Sequence, residues 1–276
     1  MGGSTPLEPG WTVRLVATGF TRLYNGVAYD PVSTDLFVAD EGARTLYRVT
    51  QNGVKTAIHS DPDFAMDELA FDTVHRVVYL GGNLQDVLRK VAEDGTFLGD
   101  VTTPLRYTGL AMAPDGNLYL VGWYVPSMWR YDVGNGTFTE VHTNLGGNLE
   151  GLAFDPAGNA YVAVMSADAV LKVTPAGVRT TIATLVNPVG VSFGDGSVFV
   201  ATSCSGNIYR IAPDGSGTTN FAIGQYCTIG IHFGSDGRVY LNDGYYFPGD
   251  GGLWEYSPGV VPVESHSWGA VKSRYR

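Results

Sequence analysis

Basic side chains are scarce in this 276-residue chain: 17 lysines and arginines stand against 27 aspartates and glutamates, a net charge of -10. A phosphate backbone is bound by clustered lysine and arginine, so nucleic acid is excluded as a partner. Long apolar runs are missing as well. No stretch approaches the roughly 18 residues of a membrane-spanning helix, so no membrane partner is expected. Cysteine is limited to Cys204 and Cys227, and no two histidines stand at metal-ligating spacing. That excludes a zinc site of the cysteine–histidine kind. There is neither a Walker loop nor a dinucleotide fingerprint. The opening Met1-Gly2-Gly3-Ser4-Thr5 does not read as a signal peptide. The acidic surplus suits a soluble protein and a site for cations or cationic ligands.

What the chain has is repetition. The phrase Gly26-Val27-Ala28-Tyr29-Asp30 returns as Glu68-Leu69-Ala70-Phe71-Asp72, Gly109-Leu110-Ala111-Met112-Ala113 and Gly151-Leu152-Ala153-Phe154-Asp155. Weaker copies follow at Gly190-Val191-Ser192-Phe193 and Gly230-Ile231-His232-Phe233. The copies are 42, 41, 42, 39 and 40 residues apart. That period, with several short strands per unit, marks the blades of a β-propeller. Six copies predict an all-β, six-bladed propeller with four antiparallel strands per blade, one domain over residues 1–276.

Each repeat carries the same four-part order. The phrase is the first strand. A turn such as Pro114-Asp115-Gly116-Asn117 follows, where Asp and Asn brace the turn and Gly supplies positive φ. The second strand is an apolar run such as Leu118-Tyr119-Leu120-Val121. The third alternates, as in Leu171-Lys172-Val173, and the fourth is polar, as in Val178-Arg179-Thr180-Thr181-Ile182. This gradient predicts strands running from axis to rim. Trp11 to Thr18 reads as a fourth strand and is expected to close the ring beside Leu253 to Tyr256 in blade six. Val260 to Ser265 competes for that place.

Val27-Ala28-Tyr29-Asp30, Leu36-Phe37-Val38-Ala39-Asp40 and Arg44-Thr45-Leu46-Tyr47-Arg48-Val49 together resemble an NHL repeat. They are also similar to the senescence-marker-protein/gluconolactonase group of propellers, which includes paraoxonases and strictosidine synthase-like proteins. The resemblance covers nearly the whole chain. In the gluconolactonase group a divalent cation, often calcium, sits at one mouth of the channel. Its Glu, Asn and Asp ligands come just before the Gly of the first strand. Here that slot holds Asn25, Asp67, Thr108, Glu150, Val189 and Ile229, with Glu68 in the Gly place itself. The resemblance thus implies a calcium-type site on Asn25, Asp67, Glu68 and Glu150, from which Val189 and Ile229 depart.

Antiparallel order brings the loop after each second strand to that same mouth. These loops carry Asp40-Glu41, Asn83, Trp123-Tyr124, Met165-Ser166, Ser203-Cys204 and Asn242-Asp243-Gly244-Tyr245-Tyr246. Asp40, Trp123, Tyr124, Asn242, Tyr245 and Tyr246 are the expected walls of a small-molecule site. The plainer reading is that the acids cap turns and the aromatics pack the loops. His232 replaces the small residue found at its place in the other blades and, with Asp243, is a candidate to move a proton. A packing histidine is the alternative. Gly190-Val191-Ser192-Phe193-Gly194 matches a nucleophile elbow in letters only, since it reads as a first strand entering a hairpin.

The favoured function is a monomeric, metal-dependent enzyme acting on a small organic ester or lactone, its cation polarising a carbonyl and activating water. A non-catalytic NHL-type module that binds a ligand or protein is the alternative. A lyase or cyclase of the virginiamycin B lyase or strictosidine synthase type is a third reading. Cys204 and Cys227 both fall on the mouth face of neighbouring blades. A disulfide between them is expected, with an extracellular or periplasmic location, against two buried thiols as the plainer case. Such a bond requires Cα atoms within roughly 7 Å.

Overall fold

The computed structural model describes residues 5–82, 84–203, 205–223, 228–244 and 251–259. The strands form six antiparallel sheets, the blades of a six-bladed β-propeller. Blade one is Leu23–Tyr29, Leu36–Asp40, Thr45–Val49 and Lys55–Ser60. The first strands of the others are Glu68–Asp72, Gly109–Met112, Leu149–Phe154, Pro188–Gly194 and Gly230–Phe233. Consecutive first strands pack side by side around the axis, the sixth returning to the first.

The turns behave as their residues dictate. In blades three, four and six, Gly116, Gly158 and Gly237 adopt φ of 79°, 81° and 80°, a region that glycine enters without strain. The preceding aspartates brace the same turns. Asp115, Asp155 and Asp236 each accept a backbone N–H two residues on. Each also accepts the hydroxyl of a second-strand tyrosine, from Tyr119 at 2.9 Å, Tyr161 at 2.9 Å and Tyr240 at 2.7 Å.

The core lies between blades. The second residue of each phrase packs against the preceding blade: Leu69 with Phe37 and Leu46, Leu110 with Tyr79 and Leu88, Leu152 with Val121 and Met128. The third residue faces the following blade, as Ala28 does among Leu69 and Phe71. Alternation along a strand puts neighbours on opposite faces, so one first strand serves two interfaces.

The glycine that opens the phrase has a different task. A Cβ on Gly109 would stand 2.0 Å from the Glu150 carbonyl oxygen, on Gly151 2.2 Å from that of Val189, and on Gly190 2.1 Å from that of Ile229. Each blade thus presses its glycine against the slot carbonyl of the next. Blade two breaks the pattern with Glu68.

Ring closure follows the sequence expectation. Trp11–Phe20 pairs with Gly251–Pro258, from Trp11↔Pro258 to Phe20↔Gly251. Val16, Ala17 and Phe20 thereby join the core between blades six and one. A second contact was not expected. Thr5–Pro6 pairs with Ile223 and Ala222 at the rim of blade five, and Glu8 bonds Arg210 at 2.9 Å. The N-terminal segment therefore clasps two blades. Val260 to Ser265 and the cysteines 204 and 227 lie outside the described residues.

The inter-blade glycines give a direct test. Gly151→Ala is expected to cost on the order of 3 kcal/mol, because backbone must shift to admit the Cβ. Gly217→Ala, where nothing lies within 4 Å, is expected to change stability by less than about 0.5 kcal/mol. Urea denaturation midpoints of the two variants check this.

Candidate functional site

The first strands begin at one end of the channel, and there the acids gather. Glu150 is 1% exposed, Glu68 3% and Asp67 6%. The ring of repeats brings them in, since Asp67 and Glu150 hold equivalent places in blades two and four and Glu68 follows Asp67 in the Gly place. Asn25 reaches over from blade one. Its amide donates to Glu68 Oε1 at 2.7 Å and to the Thr108 carbonyl at 3.2 Å. Thr108 fixes that carbonyl's neighbourhood by donating its hydroxyl to the Leu149 carbonyl at 2.5 Å.

Burial dominates the electrostatics. Desolvation pushes Glu150 up to about 8, opposed by the Tyr24 hydroxyl and reinforced by the charge of Asp67. Glu68 is raised well above the usual carboxylate range, again chiefly by burial, with Asn25 opposing and Glu150 and Asp67 adding to it. Among the described residues neither Glu68 nor Glu150 takes part in an ion pair. The amide oxygens of Asn25 and Asn242 are buried and accept no hydrogen bond there. Among the described residues no three His, Cys, Asp or Glu side chains are already disposed around a metal position. The donor set is instead mixed, amide oxygens beside carboxylates. These hard oxygens fit calcium in kind.

Several expected site residues have other work. Asp40 accepts the backbone N–H groups of Thr21 at 2.7 Å, Arg22 at 2.9 Å and Ala43 at 3.1 Å, so it clamps its loop. Asp243 accepts from Gly252 N at 2.8 Å and from Trp254 Nε1 at 2.7 Å, which ties two strands of blade six together. Asn242 donates to the Gly26 carbonyl at 3.2 Å and so joins blade six to blade one. His232 lies on the channel wall. It stands three residues beyond Ile229, the slot residue of its blade, which is roughly 10 Å along a strand. His232 is thus separated from the acids along the strand, while Asp243 follows Asn242 at the strand end. Ser192, in the rejected elbow, is a strand residue whose hydroxyl oxygen accepts the Phe233 N–H at 2.8 Å.

Of the expected walls, Trp123 is half-buried beside Asn148, whose side-chain amide, oriented with its oxygen toward the indole, accepts the indole N–H at 2.9 Å and donates to the Trp123 carbonyl at 3.2 Å. Tyr124 projects into solvent, 74% exposed. Tyr245, Tyr246 and Asn83 lie outside the described residues. Val189 and Ile229 are buried in their slots, so the slots of blades five and six hold no acid.

Two participants escaped sequence reading. Tyr24 sends its hydroxyl from blade one to Glu150 Oε2 of blade four at 3.4 Å. Its signal was an aromatic residue just before the Asn25 slot. Tyr107 is fully buried, and its hydroxyl lies 3.0 Å and 2.9 Å from the carbonyls of Leu80 and Val87. It packs where Gly81 leaves out a side chain.

No protein-family profile and no curated protein matches the sequence. Solved structures do match in fold. A gluconolactonase from Xanthomonas campestris superposes with a TM-score of 0.74 at 13% identity, over 93% of this chain and 95% of that one. A chain of a nidogen/laminin complex gives 0.70 at 16% identity, over 81% and 98%. Virginiamycin B lyase from Staphylococcus aureus gives 0.65 at 11% identity, over 90% and 99%. The fold is therefore that of the gluconolactonase-like and nidogen-type six-bladed propellers.

The raised carboxyls make stability depend on pH. A Glu150 that titrates near 8 when folded, against about 4.3 when unfolded, holds its proton more tightly in the native state. Its contribution is full below the unfolded value and is lost as pH rises through about 8. In chelator, the urea midpoint is expected to fall between pH 5.5 and pH 9. Glu150→Gln, which cannot titrate, is expected to shrink that fall. An equal fall in both proteins would show that Glu150 is ionised throughout.

Proposed function

We propose that the acidic mouth binds a divalent cation, calcium by its donor chemistry, and that the protein is a cation-dependent hydrolase of small esters or lactones. One observation carries the reading. Glu68 and Glu150 are buried in one mouth without an ion pair among the described residues, beside the unsatisfied amide oxygens of Asn25 and Asn242. Buried charges are paired or bind metal, and an oxygen-only donor set of this kind suits calcium over softer ions. Asn25, Asp67, Glu68 and Glu150 are the residues that would hold it.

A bound divalent cation supplies the charge that polarises a substrate carbonyl and acidifies water. The chain supplies the rest. Tyr24 steadies Glu150, and Asn25 steadies Glu68. Trp123, fixed by Asn148, offers an apolar wall beside the mouth. With His232 deep in the channel, Asp243 beside Asn242 is the carboxylate outside the cation's donor set that would move the proton. An extracellular or periplasmic setting, where millimolar calcium binders operate, accords with this reading.

A second reading has its own support. Buried Val189 and Ile229, and the lack of a preformed acidic triad among the described residues, favour a non-catalytic propeller that binds a ligand at the same face.

Calorimetric titration with calcium, followed by an ester and lactone screen with and without chelator, separates the two. We expect calcium binding that weakens at least tenfold in Glu150→Gln, and activity lost both to chelator and to that substitution, with the β circular-dichroism spectrum retained. Calcium binding without activity would leave the binding module. No binding at all would remove both the cation and the hydrolase.

A further inference from the structure

The channel does not end at the acids. A cavity of about 320 Å³ runs from Asn25 and Glu68 to Pro31, Thr73 and Ser235, which belong to the turns on the opposite face. Its far half is walled by the fourth residues of the repeated phrase, including Met112, Phe154, Phe193 and Phe233, all of them only partly buried. The third residues, Ala28, Ala70, Ala111 and Ala153, are small and leave the bore open. The channel's volume is at the small end of the range for a ligand pocket, and its far half presents aromatic and methionine side chains.

One polar side chain stands out in this bore. His232 takes the place that is alanine in four blades and serine in another. The ring is half-buried, lines the cavity and makes no hydrogen bond among the described residues. Burial pushes the imidazole down to about 4, against the opposing charge of Asp236, so the ring is neutral near pH 7. A neutral imidazole presents one donor and one acceptor. A carboxylate could use only the N–H and would be buried with no lysine or arginine in the lining, whereas a hydroxyl group can use either nitrogen.

We propose that the far half of the channel is a second ligand site, entered from the face opposite the acids, for a neutral ring-sized molecule whose single hydroxyl group bonds His232. The site is independent of the cation reading: it is roughly three residues along the strands from the carboxylates and uses none of them. An apolar ring gains by leaving water for this wall, and the hydroxyl fixes its depth.

The test uses 2-naphthol as the probe and 2-methoxynaphthalene, which has no hydroxyl donor, as its control. The His232 Cε1–H resonance, assigned by its loss in His232→Phe, is followed during each titration of the intact protein. We expect a saturable shift with 2-naphthol and binding three- to tenfold tighter than the control. His232→Phe should abolish that preference. Glu150→Gln and chelator should leave 2-naphthol binding unchanged, which keeps this result separate from the fate of the hydrolase reading. No saturable shift in the wild-type protein, or equal affinity for the two probes, would overturn the proposal, and calorimetry of the wild-type protein gives both affinities without any variant.

Discussion

Blade-to-blade contact at the axis governs this molecule. Each first strand must come close enough for its opening residue to touch the slot carbonyl of the following blade, and at Gly109, Gly151 and Gly190 a single added carbon would collide with that oxygen. The ring therefore closes on glycine. Blade two alone places a longer residue there, Glu68, and its side chain is accommodated by turning to the Asn25 amide from blade one. The exception in the packing rule is thus also the centre of the candidate site. A residue that the fold would replace by glycine is retained where oxygen chemistry is concentrated.

The electrostatic consequence is the second constraint. Bringing Glu68 and Glu150 out of water beside Asp67 raises the energy of their charged forms, by burial first and mutual repulsion second. The described surroundings answer with neutral donors, the Asn25 amide and the Tyr24 hydroxyl, rather than with ion-paired arginine or lysine. Arginine is instead spent at the periphery, where Arg76 joins Asp30 at 2.6 Å and Arg89 joins Asp61 at 2.6 Å and Asp100 at 2.9 Å. The distribution keeps positive side chains for linking strands and blades and leaves the mouth acids to protons or to an added cation.

The fold was legible because a propeller repeats. Six copies of one phrase give the blade count, the order of strands and the polarity gradient, and the match of Trp11 to Thr18 with other fourth strands gives the closing partner. The Thr5–Pro6 clasp on blade five was not legible, since two residues carry no periodicity. The site was legible in part. The slot rule put Asn25, Asp67 and Glu150, with Glu68 in the adjoining Gly place, at one end of the channel, and the structure gathers them there. The hydrogen bonds of Asp40 and Asp243 were not legible, because an aspartate at a strand end looks the same whether it ligates, catalyses or accepts N–H groups. Tyr24 was missed because its partner lies across the channel, 126 residues away. The depth of His232 follows from counting residues along the strand, but its unpartnered ring does not.

The central claim is that the acids at the channel mouth form a cation site. Crystals of the intact protein grown with terbium, a calcium substitute with strong anomalous scattering, test it most directly. The account predicts one dominant anomalous peak at the acidic end of the channel, about 2.3–2.6 Å from oxygens of Asn25, Glu68 and Glu150. An empty mouth in those crystals, with terbium bound only to surface carboxylates such as Asp94 and Asp214, would contradict it.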